Sequence, residues 1–426
     1  MQKFQRFLPF LNWFPMSGDT VKADLIAGIT VALVLIPQSM AYAKLAGLPA
    51  YYGLYTAFLP VLIAALFGSS SQLSTGPVAV VSLLTAVSIT QFAEIGSHEF
   101  ISLAIMLAFL VGIFQLLLGI FRLGLITNFL SHPVIIGFTN AAALIIAFSQ
   151  LSKILRISMS HSEYFLVDIW NVIMQIGNTH IPTLIFGLIA FAIIWLLKNN
   201  YPKMPAILIA VTITIIISWL INFQAMGGEI IGKIPEGLPS FSIPNFNTII
   251  LEEIIISAMV IALIGFMEAI SIAKTMAIKT KQHIDPNQEL IGQGLANIIG
   301  SFTQAYPASG SFSRSAVNLN TGAKTGMSSV YTAIIIMITL LFLTPLLYHL
   351  PKSVLAAVIM IAVFGLINFT TIKHIWKNSK LDGIIAIVTF IVTISSAPHL
   401  EKGILLGFGL AIILYFYRIY CKLLMI

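Results

Sequence analysis

The chain has 426 residues, 58% of them hydrophobic and only 9% charged, with a mean hydropathy of +0.99 and a formal net charge of +7. So little polar surface excludes a soluble globular protein, because the outside of the molecule has to face lipid. The single cysteine, Cys421, excludes an intramolecular disulfide framework.

The opening MQKFQRFLPFLNWFPMSGDTVKADLIAG carries Asp19, Lys22 and Asp24 just ahead of the first long apolar run and has no small-residue cleavage site. No removable signal peptide is expected, and the run itself reads as the first span. Apolar windows of bilayer length then predict about fourteen spans: 25–45, 50–67, 77–92, 100–121, 125–150, 182–197, 205–222, 254–274, 287–301, 311–321, 328–347, 353–368, 381–397 and 402–420. His132-Pro133 in span five reads as a kink. The segment 152–181, with Lys153, Arg156, His161, Asp168 and Trp170, reads as the longest loop, lying along the outer interface without assigned chemistry.

An even number of spans puts both termini on one side. Fifteen lysines and arginines fall there, among them Lys3, Arg6, Lys203, Lys373, Lys377, Lys380, Arg418 and Lys422, against six on the other side, Lys44, Lys153, Arg156, Lys233, Lys352 and Lys402. Both termini are therefore expected in the cytoplasm of a multi-pass protein of the plasma (inner) membrane. Acidic residues such as Glu94, Glu163, Glu229 and Glu401 lean outward. Topology accounts for the positive balance, and no nucleic-acid partner is read from it.

Arg314 and Glu268 fit neither side. An ionisable group near the bilayer centre costs about 2.5 to 3.5 kcal/mol on insertion scales, which makes each a functional candidate. Arg314 follows SFTQAYPASG, a β-permissive, proline- and glycine-punctuated stretch, and opens an unusually short span. Span three has the same anatomy, SSSQLSTG and then PVAVVSLLTAVSI, with Pro77 read at a first-turn position. Ser74-Thr75-Gly76-Pro77 overlays Ala308-Ser309-Gly310-Ser311, seven spans on. Matching broken helices in two halves point to a secondary transporter built from inverted repeats, with its site at the repeat interface. The expected fold is an all-α polytopic membrane protein, spans one to seven repeated upside down as eight to fourteen, with two broken helices preceded by short extended strands. Two facing helix starts offer unpaired N–H groups and partial positive charge, an anion site made of backbone. Thr75, Ser309 and Ser311 are expected to add hydroxyls, and Arg314 formal charge.

The run GLANIIGSFTQAYPASGSFSRSAVNLNTGAKT resembles the signature of the sulfate permease (SulP) family, as do AGITVALVLIPQSMAYAKLAGLPAYYGLY and STGPVAVVSLL. The resemblance runs in order along the whole chain. It implies the fourteen-span fold of the uracil permease group, with a core domain (about 25–121 and 254–347) and a gate domain (about 125–222 and 353–420). It also places Gln38 and Tyr42 beside the anion, completing a substrate site of Gln38, Tyr42, Thr75, Gly76, Val78, Ala79, Ser309, Gly310, Ser311, Phe312 and Arg314. The family's acidic position falls on Glu268, with Ser271 on the same face as the second coupling-ion residue. Where relatives bind sodium, a hydroxyl one turn beyond the carboxylate is a natural ligand; here that position is Ile272, which favours a proton over sodium. Family members usually continue into a cytoplasmic STAS domain, whereas this sequence stops at Ile426. The expectation is a membrane domain without STAS.

Three functions compete: a proton-coupled symporter of an inorganic oxyanion, sulfate first, working by an elevator; a bicarbonate or dicarboxylate transporter, or an uncoupled exchanger or channel, on the same fold; and a membrane-embedded enzyme. The last lacks an HExxH, a Cys/His cluster or paired carboxylates in any span, so neither enzymatic activity nor a cofactor or metal is expected. A nucleobase permease would have no need of Arg314 for its neutral substrate. The expected partners are a small anion, a proton and membrane lipid, with homodimerisation left open.

Overall fold

A computed structural model describes residues 8–125, 132–159, 162, 165–201, 204–245, 251–397 and 400–424. Lys3, Arg6, His161, Glu163 and Lys203 lie outside the described residues, as do the side chains of His132, Glu401, Arg418, Cys421 and Lys422. The described residues are mostly helical, and the chain divides into two compact units, Met1–Gly124 with Ile185–Val358, and Leu125–Leu184 with Ile359–Ile426.

The first unit begins with α1 (Gly18–Leu45), whose N-cap Ser17 accepts from the Thr20 N–H and whose ends carry Asp19 and Lys44, the signs the helix dipole favours. α1 runs unbroken through Pro37. The expected single span 50–67 is instead two short helices, α2 (Tyr51–Thr56) and α3 (Leu59–Phe67), because Pro60 in the first turn of α3 cannot continue the preceding one. Strand β1 (Ser74–Gly76) leads to α4 (Ala79–Thr90), and α5 (His98–Ile120) follows. α8 (Ile181–Asn200) and α9 (Ala206–Leu220) return the chain to this unit, followed by α10 (Leu251–Thr280), α11 (Pro286–Ser301), strand β2 (Ser309–Ser311), α12 (Phe312–Asn320) and α13 (Met327–Ile338). α13 continues as a π turn (Thr339–Leu343) and a 3₁₀ turn (Thr344–Leu347) around Pro345.

α11 packs along α5 and α3. A Cβ on Gly112 would sit 2.7 Å from the Gly294 carbonyl oxygen, and one on Gly294 would sit 2.6 Å from the Leu116 nitrogen. Small residues let the two backbones touch, which is how helices associate where lipid removes the hydrophobic drive. Across the unit, the buried Asp24 of α1 accepts from the Lys324 N–H (2.6 Å), the Thr325 N–H (3.1 Å) and the Thr325 hydroxyl (2.6 Å), fixing the turn between α12 and α13.

The second unit holds α6 (His132–Leu155), α7 (Phe165–Met174), the C-terminal part of α14 (Lys352–Phe364), α15 (Phe369–Asn378), α16 (Lys380–Ser395) and α17 (Leu400–Leu424), with α16 packed along α6 and α17. Two expectations change here. Pro133 stands in the first turn of α6, where a missing N–H breaks nothing, rather than at a kink. The expected loop 152–181 contains a ten-residue amphipathic helix, α7. A second such helix, α15, follows α14; both are too short to register in a window of bilayer length. Among the described residues, seven helical stretches are long and apolar enough to cross a membrane, and shorter apolar helices accompany them. The protein is a multi-pass membrane protein.

Candidate anion-binding site

The two extended segments pair. β1 and β2 run antiparallel with Ser74 opposite Ser311, Thr75 opposite Gly310 and Gly76 opposite Ser309. Antiparallel pairing about Thr75–Gly310 makes Ser74 the counterpart of Ser309, one residue off the overlay read from the sequence. Such backbone survives inside a membrane only if protein satisfies its polar groups. The buried Asn297 of α11 does so on both sides of Ala308, accepting from its N–H (2.8 Å) and donating to its carbonyl (3.1 Å). The Asn297 amide also donates to Gln115 of α5, whose own amide reaches the Ala262 carbonyl. Thr56 accepts from the Tyr306 N–H and Ser315 from the Ser74 N–H.

A helix leaves each strand. α4 has Val78 as N-cap in extended conformation and α12 has Ser311, and neither start carries a side-chain cap. Pro77 lies two residues ahead of α4 rather than in its first turn, and its carbonyl has another use. Arg314, fully buried in the first turn of α12, donates to it through Nη1 at 2.9 Å and contacts Ser74 Oγ through Nε at 3.4 Å. One arginine therefore spans from the start of α12 to the approach of α4. Its Nη2 is buried without a partner, and among the described residues no carboxylate lies within 4 Å of it. Tyr42, Tyr306 and Glu268 are the ionisable groups near enough to act on its charge.

Around this centre the expected residues distribute unevenly. Gln38 and Tyr42 of α1 are buried, and Gln38 Oε1 has no partner. Gly76 has φ +141°, a conformation that excludes an ordinary side chain, and a Cβ there would lie 3.3 Å from Arg314 Nη2. Val78, Ala79, Gly310 and Ser311 are buried at the two helix starts, whereas Phe312 is half exposed. Ser311 Oγ lies 3.4 Å from Ser313 Oγ. Two expected hydroxyls are occupied: Ser309 donates to the Gly265 carbonyl of α10 (2.7 Å), and Thr75 accepts from Gln293 Nε2 (2.8 Å). Glu268, one turn beyond Gly265, has a buried Oε2 without a partner. Ser271 is exposed, its carbonyl accepting from Thr275, and Ile272 is buried against Leu73, Ala269 and Met276.

Besides Gln115 and Gln293, three contributors escape a reading of the sequence. Tyr306 shares a hydroxyl contact with Ser82 at 3.2 Å, Asn297 holds the strand, and Glu289 of α11, 2% exposed, accepts from the Ser69 N–H, the Ser69 hydroxyl and the Ser70 N–H. The one signal for Glu289 in the sequence is an acidic residue inside a predicted span. No group of three or more His, Cys, Asp or Glu side chains suited to a metal exists among the described residues. A separate surface cavity of about 330 Å³, bordered by Lys233, Glu236, Thr344 and His349, shares no residue with this centre.

The arrangement can do one kind of chemistry: hold a negative charge with backbone amides and an arginine, without a covalent step. The pattern that defines the sulfate permease family matches residues 21–389. "Sulfate transporter 4.1, chloroplastic" of Arabidopsis thaliana is 39% identical over 404 residues, covering 93% of this chain and 58% of that protein. The "sodium-independent sulfate anion transporter" of Bos taurus is 36% identical over 443 residues, covering 95% of this chain and 71% of that protein. The chain thus spans less than two thirds of the first of these relatives. Among solved structures, SLC26A9 superposes with a TM-score of 0.91 at 28% identity over 98% of this chain and 69% of that one. The transmembrane domain of the cyanobacterial bicarbonate transporter BicA shares the fold, with a TM-score of 0.77 at 23% identity over 93% of this chain and 98% of that one.

Proposed function

We propose, since this chain belongs to the sulfate permease family, that it is a secondary active transporter of an inorganic oxyanion, sulfate first, carried in symport with a proton. One observation carries the reading. Arg314 is buried with no carboxylate within 4 Å among the described residues, at a point where two helix starts have no side-chain cap for their first amides. An uncompensated buried cation costs several kcal/mol, and a bound anion supplies the missing charge while accepting from the free amides. The binding residues are Gln38, Tyr42, Ser311 and Arg314 with the backbone from Gly76 to Ala79 and from Gly310 to Phe312. Thr75 and Ser309 support the two strands: Ser309 gives its proton to the Gly265 carbonyl, whereas Thr75 only accepts from Gln293 and keeps its hydroxyl proton for an anion.

Coupling falls to Glu268, with Ser271 one turn on. A carboxylate and an arginine sharing one apolar centre link their occupants: a proton on Glu268 leaves the arginine's field free for the anion, and a bound anion favours the proton in return. The fold is read as fourteen spans in a 7+7 inverted repeat, supported by the antiparallel β1–β2 pair and by α7 and α15, which follow the fifth and twelfth spans. Transport follows an elevator in which the core carries the anion past the gate, in a plasma membrane with both termini cytoplasmic. The second reading is a bicarbonate or dicarboxylate transporter, or an uncoupled exchanger or channel, on the same fold.

The test is uptake of radiolabelled sulfate, bicarbonate and oxalate by the purified chain in proteoliposomes, with and without an inward proton gradient. Sulfate accumulation that rises with the gradient is expected. Accumulation of none of the three would refute the transport reading, and uptake indifferent to the gradient would refute symport.

A further inference from the structure

The two short amphipathic helices differ in charge. α7 carries Asp168 and no lysine or arginine, and it exposes Leu166, Val167, Trp170 and Ile173. α15, FTTIKHIWKN, carries Lys373, His374 and Lys377, with Lys380 opening the next helix. At 100° per residue, Phe369, Ile372, Ile375 and Trp376 gather on one side of α15, and Lys373, Lys377 and His374 occupy the other. Lys373, His374, Lys377 and Lys380 are all exposed, and no ion pair holds any of the three lysines among the described residues. The nearest acidic residue in the sequence is Asp382, in the first turn of α16.

The helix is held where it lies. Its N-cap Asn368 accepts from the Thr371 N–H (3.0 Å), while the Asn368 N–H donates to Asn140 of α6 (2.6 Å). At the other end Trp376 rests on Gly383 of α16, where a Cβ would come within 2.9 Å of the Trp376 Cα. Trp376 is still 41% exposed and Phe369 52%. A fixed helix with exposed aromatics on one edge and a run of unpaired cations on the other has the build of an element lying in a membrane interface. It falls between two spans on the side where basic residues collect, the side whose leaflet is anionic.

We propose that α15 docks anionic lipid: Phe369 and Trp376 enter the headgroup boundary, and Lys373, Lys377 and Lys380 bind lipid phosphates of the cytoplasmic leaflet. This does not require that the chain move any anion, so it stands or falls apart from the uptake experiment. For the test, the purified full chain is placed in phosphatidylcholine vesicles containing either photoactivatable phosphatidylglycerol or photoactivatable phosphatidylcholine, and labelling of residues 365–383 is read by peptide mass spectrometry. Both leaflets carry the probe, so orientation does not enter. Labelling by phosphatidylglycerol should exceed that by phosphatidylcholine by about tenfold or more. It should fall to the phosphatidylcholine level in the triple variant Lys373→Gln, Lys377→Gln, Lys380→Gln and persist in the triple arginine variant. Equal labelling by the two lipids in the wild-type chain overturns the proposal whether or not the glutamine variant folds, as does undiminished labelling of a folded glutamine variant. Loss of labelling on adding millimolar soluble glycerol phosphate would mean a site for free phosphate, and the membrane reading would fail.

Discussion

Neutralising Arg314 separates a charge effect from structural damage. In Arg314→Gln the helix starts and their amides remain, while one buried positive charge and the donor to the Pro77 carbonyl are lost. The Arg314 guanidinium reaches the Pro77 carbonyl at the approach to α4, and for an anion held off it by one intervening donor group the charge separation is taken as roughly 7 to 8 Å. At that separation and an effective dielectric constant of about 20 to 40, each unit of anion charge loses about 1 to 2 kcal/mol. A monovalent anion should then bind about 5- to 30-fold more weakly, and divalent sulfate about 30- to 900-fold, because the Coulomb energy scales with charge while RT is fixed. The assay is equilibrium binding to purified protein by calorimetry, with sulfate and nitrate side by side and Arg314→Lys as the variant that keeps charge but loses the planar fork. The free-energy loss for sulfate should be close to twice that for nitrate. Equal losses for the two anions would refute the electrostatic argument and leave Arg314 as a structural tie between Ser74, Pro77 and α12.

Ser311→Trp should abolish uptake while the protein inserts and elutes normally, because the indole fills the space between the helix starts; wild-type uptake would move the anion elsewhere. Asn297→Leu strands both backbone groups of Ala308 at membrane depth, each worth about 1 to 3 kcal/mol, so the thermal midpoint in detergent should fall by several degrees. An unchanged midpoint would mean that water or another side chain satisfies them. Glu268→Gln, a fixed mimic of the protonated acid, should still exchange one anion for another yet lose accumulation driven by a pH gradient. If the variant keeps concentrating sulfate down an imposed proton gradient, Glu268 is not the carrier.

The parts of the centre that could be read from the sequence are those that break a rule within a short window. Ser74-Thr75-Gly76 and Ser309-Gly310-Ser311 are polar and extended where a span should be apolar and helical, and the structure pairs them as strands. Arg314 is a charge inside an apolar run, and it is buried in a helix as that reading required. α7 and α15 escaped for the opposite reason. Their period is helical, but ten residues cannot fill a window of bilayer length, so each was absorbed into a connection.

The residues that hold the centre together escaped for a different reason. Asn297, Gln115, Gln293 and Glu289 each sit singly in an otherwise ordinary helix, and nothing in their own neighbourhoods says which strand they serve. Their partners lie far along the chain: Gln293 with Thr75, Asn297 with Gln115, Glu289 with Ser69 and Ser70. The need for them, however, follows from the strands. Extended backbone in lipid must be satisfied by protein, so two three-residue strands at membrane depth imply amide and hydroxyl side chains on whatever helices flank them. Sequence reasoning can therefore demand such partners before it can name them. The naming depends on which helices touch, and that is decided by the close packing of α11 on α5 at Gly112 and Gly294. Replacing either glycine would displace α11, and with it the Asn297 and Gln293 contacts that hold both strands.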